Sequence, residues 1–132
     1  MSSKARSSFT LIELVIIIII LVILLGISIT RIIDLAQRAK NVSEEATVNA
    51  VRQSIQMYYF ESIVKDRDPL YPAGLEPALA GVFASQQNPF FINILESTGA
   101  VHRDWYKISD TAYKGPAGSI YTYNSTTGEF KE

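Results

Sequence analysis

The sequence predicts an α+β chain in which one long N-terminal helix, apolar first and amphipathic later, packs on a small C-terminal antiparallel sheet. Three observations lead there. Leu14 to Thr30 contains no charged side chain, and neither Pro nor Gly interrupts the chain from Ile27 to Asp68. Beyond Gly99, aromatic and β-branched residues alternate, which is the pattern of strands. At 132 residues the chain has room for one ordinary domain.

The apolar element comes first. Hydrophobic residues make up 48% of the sequence, and isoleucine, leucine and valine crowd into residues 11–35. A bilayer core is crossed by about 20 apolar residues, and residues 9–30 meet that length. A core helix of a soluble protein shows a polar face, whereas Leu14 to Ile27 shows none. A secretory signal peptide has a shorter apolar run and a small-residue cleavage site after it; Ile29-Thr30-Arg31-Ile32-Ile33 offers no such site. Lys4 and Arg6 put the N-terminus on the cytoplasmic side and the rest of the chain outside. Arg31, Arg38 and Lys40 give a weaker bias the other way.

From residue 31 to residue 65 the helix becomes amphipathic. Apolar or small residues recur at Ile32, Leu35, Ala36, Ala39, Val42, Ala46 and Ala50, and Val51, Ile55, Tyr58 and Tyr59 continue them. Charges and amides, including Asp34, Arg38, Glu44, Glu45 and Arg52, fall between. A helix from Phe9 to Lys65 would be on the order of 85 Å long.

Asp68-Pro69 and Tyr71-Pro72 end the helix, because each Pro drives its predecessor out of the α region. Residues 66–132 then form a small head. Its connector carries two candidate short helices, Leu75 to Val82 and Phe90 to Glu96. Three strands follow, at Trp105–Ile108, Ser119–Asn124 and around Glu129–Lys131, with turns at Lys114–Gly118 and Ser125–Gly128. A core this small is marginal alone, so the sheet is expected to lie on the helix and bury Tyr58, Tyr59, Trp105 and Tyr121.

Composition excludes several functions. The net charge is −1 with no basic block, which leaves no counterion-releasing surface for nucleic acid. There are no cysteines, hence no disulfide, thiolate metal site or thiol nucleophile. His102 stands near Asp104, but no nucleophile-elbow motif accompanies them, and no enzyme activity is expected. No cofactor is expected either; calcium at Asp104 and Asp110 is the one candidate, without EF-hand spacing. Asn41-Val42-Ser43 and Asn124-Ser125-Thr126 match the glycosylation sequon, a pattern frequent by chance. The seven tyrosines read as core and sheet packing.

Glu13 is the most informative residue. A carboxylate in an apolar span costs about 2.5–3.5 kcal/mol on insertion scales. Two readings account for it: the side chain snorkels to the headgroups, or it has a partner. If the chain is cut before Phe9, the new amine lies about one turn from Glu13. In a staggered array the carboxylate of one subunit then pairs with the amine of the next and fixes the register, a recognised use of a buried charge.

Phe9-Thr10-Leu11-Ile12-Glu13-Leu14, followed by the apolar run, closely resembles the class III signal of type IV prepilins and type II secretion pseudopilins. The resemblance implies a pilin-like lollipop architecture and a structural role. It divides the chain into a leader (1–8), a transmembrane and filament-core helix (9–30), its amphipathic continuation (31–65) and the head (66–132). It implies cleavage between Ser8 and Phe9 by a prepilin peptidase, N-methylation of Phe9, and subunit docking through Glu13. The implied partners are further copies of this chain and related pilins in a helical filament, an inner-membrane assembly platform, and the lipid bilayer. The implied location is the bacterial inner membrane, single-pass with the head outside, and afterwards a periplasmic or extracellular filament. Tyr71-Pro72 and residues 121–130 are similar to pseudopilin and small-pilin features, and the absence of cysteine with a short head favours a pseudopilus. Two positions depart from the pattern: Ser8 stands where the family usually has Gly, and Thr30 where many pilins have a helix-breaking Pro, beside Gly26 and Ser28. The alternative expectation is an uncleaved single-pass module that binds partners through residues 66–132.

Overall fold

A computed structural model describes residues 8–96 and 99–132. The expected leader with Lys4 and Arg6 therefore lies outside the described residues, apart from Ser8. One helix, α1, runs unbroken over Leu11–Val64, 54 residues. Thr10 is its N-cap: Oγ1 accepts the Glu13 N–H at 3.3 Å, and the carbonyl accepts the Leu14 N–H at 3.2 Å. Its C-terminus is a Schellman motif one turn before the prolines. Asp66 takes the left-handed conformation (φ 50°), its N–H reaches Ile63 O, and the Arg67 N–H reaches Ser62 O at 2.9 Å.

The chain divides into two compact units, one ending at Arg38 and the other spanning Ala39–Glu132. In the first, every described residue is exposed within the chain. Helical geometry persists through Gly26, Ser28 and Thr30. Ser28 Oγ donates to Leu24 O at 2.8 Å and Thr30 Oγ1 to Ile27 O at 3.1 Å. These hydroxyls are satisfied by the helix itself, so they carry no unpaired polar group into an apolar setting. α1 is long and apolar enough to cross a membrane, and none of its most apolar 18-residue window is buried inside the protein.

The second unit is α+β. Among the described residues its sheet has four antiparallel strands in sequence order: β1 Tyr106–Lys107, β2 Ala112–Lys114, β3 Ile120–Tyr123 and β4 Phe130–Lys131. Three were expected. The additional one, β2, is three residues long, too short to display alternation, and is recognised by its pairing of Tyr113 with Tyr121 and of Lys107 with Tyr113. Neither connector helix forms. Gly81 to Ala84 instead runs along β1, with Gly81 N–H on Lys107 O at 2.7 Å and Ala84 N–H on Trp105 O at 2.9 Å. The connector thereby covers a sheet edge that would otherwise present unpaired groups. Phe91 to Leu95 makes a single turn, closed by Leu95 N–H on Phe91 O at 2.8 Å.

The buried face of α1 is Glu44, Val48, Val51, Ile55 and Ser62. These positions keep helical spacing, whereas Val42 and Ala46 lie on the opposite side at 100° per residue and are exposed. The expected stripe thus mixed two faces, and Glu44 belongs to the buried one. Val48, Val51 and Ile55 share one core with Leu75, Phe90, Phe91, Trp105, Tyr113, Tyr121, Tyr123 and Phe130. Trp105 and Tyr121 are buried as expected, while Tyr58 and Tyr59 are only half-buried. Phe91 is central, its ring 5.4 Å from Trp105, 5.1 Å from Tyr113 and 5.9 Å from Phe130. It holds φ 61°, a conformation unfavourable for a bulky residue, because the core fixes its ring and Glu76 Oε2 accepts its N–H. Gly128 (φ 71°) is required twice over: a Cβ there would stand 2.2 Å from the Tyr71 ring.

Phe91→Ala should cost about 3–5 kcal/mol of head stability, read by denaturant unfolding through the fluorescence of the single tryptophan, Trp105. Alkali gives a second test. Burial, then the neighbouring Tyr58 and Tyr71, push the Tyr123 hydroxyl up to about 12, and burial with the Glu76 charge raises Tyr113 further. Folding therefore favours the neutral phenols. Their contribution is complete below about pH 10, where unfolded tyrosine ionises, and is lost as pH rises through the folded values. Ionisation of Tyr113 and Tyr123, followed by the tyrosine resonances of the head, should consequently coincide with head unfolding above pH 10 rather than precede it in an intact head.

Candidate functional site

The N-terminal motif forms one short constellation. Ser8, Phe9 and Thr10 precede the first helical turn without helical structure, and all three are exposed. The Ser8–Phe9 peptide bond is thus outside the helix hydrogen-bond ladder. Phe9 is 72% exposed and contributes nothing to a core. Glu13 is the third helical residue and is exposed; among the described residues its carboxylate makes no ion pair or hydrogen bond.

Thr10-Leu11-Ile12-Glu13 has capping-box spacing, of which the Thr10 half is made. A carboxylate in the first turn also meets the positive end of the helix dipole, worth about 0.3–1 kcal/mol. The sequence reading weighed two roles for Glu13 and omitted this local one, although the Thr-x-x-Glu spacing signals it. The carboxylate itself makes no ion pair or hydrogen bond among the described residues.

The head's candidate residues are dispersed. His102 is half-buried and Asp104 exposed, and among the described residues they share no hydrogen bond or ion pair. Asp104 (φ 65°) contacts Arg103 at 3.6 Å instead. Among the described residues no group of three or more His, Cys, Asp or Glu converges as a metal site, Asp104 and Asp110 included. Asn124 Oδ1 accepts the N–H groups of Thr126 (2.8 Å) and Thr127 (3.3 Å), so this sequon builds the β3–β4 turn. Asn41 lies within α1.

Two buried charged centres escaped the sequence reading. Glu76 and Lys107 form an ion pair at 2.7 Å with side chains 0% and 4% exposed. Tyr113 OH (2.8 Å) and the Phe91 N–H (3.2 Å) also donate to Glu76, and Lys107 Nζ donates to Ala78 O at 2.5 Å. A pair so enclosed is tolerated because its remaining hydrogen-bonding capacity is filled. Glu44, 3% exposed, sits where α1 first meets the head. It accepts from Tyr121 OH at 2.9 Å and the Ala117 N–H at 2.6 Å. Burial, then the hydrogen bond to Glu44, raises the Tyr121 hydroxyl above its ordinary value. Gly115 makes room, since a Cβ there would lie 2.3 Å from Glu44 Oε2. Glu44 therefore fixes the β2–β3 turn and the register of helix against sheet.

Comparison with protein-family models, curated proteins and solved structures finds no match to this chain. Function has to be argued from these residues.

Glu44→Ala strands the Tyr121 hydroxyl and the Ala117 N–H and should cost about 1–3 kcal/mol. Amide exchange at Ala117 should accelerate first; unchanged exchange there would show that Glu44 does not hold the turn.

Proposed function

We propose that this chain is a structural subunit of a type IV pilus-like filament, without enzyme activity. It enters the bacterial inner membrane as a prepilin, is cut before Phe9 by a prepilin peptidase, is methylated there, and assembles by packing of α1 against like helices. The observation that carries this reading is the pairing of an uncharged helical run, Leu14 to Thr30, that no described residue covers, with an exposed carboxylate in the first turn of the same helix. A helix with no polar face cannot be moved from lipid into water. An assembly platform can extract it only into a second apolar environment, and a bundle of like helices is one. In that bundle Glu13 needs a cation at its own depth. The amine created at Phe9 supplies it, because a cut after Ser8 leaves the new terminus about one turn from Glu13. Loss of Lys4 and Arg6 with the leader takes the formal net charge of the chain from −1 to −3.

The exposed Ser8–Phe9 bond supports cleavage despite Ser8 in place of Gly. The continuous helix through Gly26, Ser28 and Thr30 supports assembly as one helix, in keeping with Thr30 in place of Pro. The compact head without cysteine suits a secretion pseudopilus.

Expressed with a prepilin peptidase, the chain should yield by mass spectrometry a species starting at N-methylated Phe9. An intact Met1, or a cut after Thr30, would contradict the proposal. Glu13→Leu should insert normally and assemble poorly; filaments at the normal rate would remove Glu13 from docking.

A further inference from the structure

Two clefts flank α1 where it meets the sheet, and their charge differs. Taking Glu44 as the residue that faces the sheet and rotating about 100° per residue, Ser43 and Thr47 fall on one flank, Glu45 and Asn49 on the other. The first flank opens on a cleft walled by residues 101–105, with His102 and Arg103. The second opens on a cleft walled by β3, with Glu45 and Glu132 at its rim and Glu44 below them.

Each cleft holds polar groups the head does not satisfy. The Arg103 side chain is 89% exposed, and its only ion pair among the described residues engages Nε, 3.6 Å from its sequence neighbour Asp104. The two terminal guanidinium nitrogens are free to form a fork on a carboxylate. Beside it, His102 Nδ1 is buried with no hydrogen-bond partner among the described residues. Across the helix, Glu45 and Glu132 are exposed and form no ion pair among the described residues. The one cation in that cleft among the described residues, Arg52, donates its Nε to Phe130 O at 2.8 Å. The second cleft thus has three carboxylates against one guanidinium.

On the reading of the chain as a filament subunit, we propose that Arg103 of one copy docks in the Glu45–Glu132 cleft of the next. Because donor and acceptor lie on opposite flanks of α1, the contact joins unlike surfaces. Such head-to-tail contacts build open-ended arrays rather than closed dimers. An exposed ion pair adds little affinity. Its effect is on register, with the apolar helices supplying the adhesion.

The full-length chain, which has no cysteine, tests this in cells carrying the assembly machinery. Asn49→Cys with Gln86→Cys places one thiol beside each cleft and leaves Glu45 and Arg103 in place. Oxidation of filaments should give a ladder of trimers and higher species with both thiols, and at most dimers with either alone. Arg103→Glu should lower filament yield by about tenfold and adding Glu45→Arg should restore it, as expected for a complementary pair. The swap decides the matter where the thiols themselves reduce assembly. Filaments without a ladder, or yields indifferent to charge reversal, would overturn the contact and leave the filament reading standing. Absence of filaments from the unsubstituted chain would remove both.

Discussion

An apolar stretch of helix, Leu14 to Thr30, that none of the described residues covers is the constraint on which the rest depends. Leu14 to Thr30 offers water no charge, and the first unit buries none of it. At about 25 cal/mol per Å² of apolar surface, no head of this size could offset leaving such a segment hydrated. In the proposed filament subunit, lipid and then other chains cover it. Glu13 is the acidic residue in the first turn of α1, just before that segment, and on the proposed filament reading its setting changes when the helix leaves the membrane.

The head solves a different problem. It is small, and its core is aromatic, centred on Phe91 with Trp105, Tyr113 and Phe130 around it. Large rings fill volume with few residues, which suits a head that borrows Val48, Val51 and Ile55 from α1 to complete its interior. The buried polar groups are organised around the same seams. Glu76 and Lys107 tie the connector to β1, and Glu44 ties the helix to the β2–β3 turn. Both networks convert a cost of burial into a fixed register, because a shift of one residue would leave a charge without partners.

The helix and the general α+β character were legible because they rest on long-range patterning: an uncharged run, then a 3.6-residue rhythm without Pro or Gly. Short elements were not. β2 exists through its two neighbours, and the connector's backbone bonds to Trp105 and Lys107, partners a local window cannot see. The stripe was drawn through Val42 and Ala46 because both are apolar, while the face that packs begins with a carboxylate. Glu44 shows why hydrophobicity alone mislocates a helix face: its burial depends on Tyr121 and Ala117, more than 70 positions away. At the N-terminus, Ser8, Phe9 and Glu13 lie within six residues of one another, so their exposure and local geometry involve no distant partner among the described residues. The capping by Thr10 was readable from its spacing to Glu13.

The claim that residues 14–30 never meet water can be measured directly in a chain with no native cysteine. Single cysteines placed from Leu14 to Thr30 should resist a membrane-impermeant maleimide both in intact membranes and in sheared filaments, and react once detergent and denaturant expose the helix. Labelling at Ile18, Leu21 or Leu24 in either intact state would show the segment in water and would contradict the account at its base.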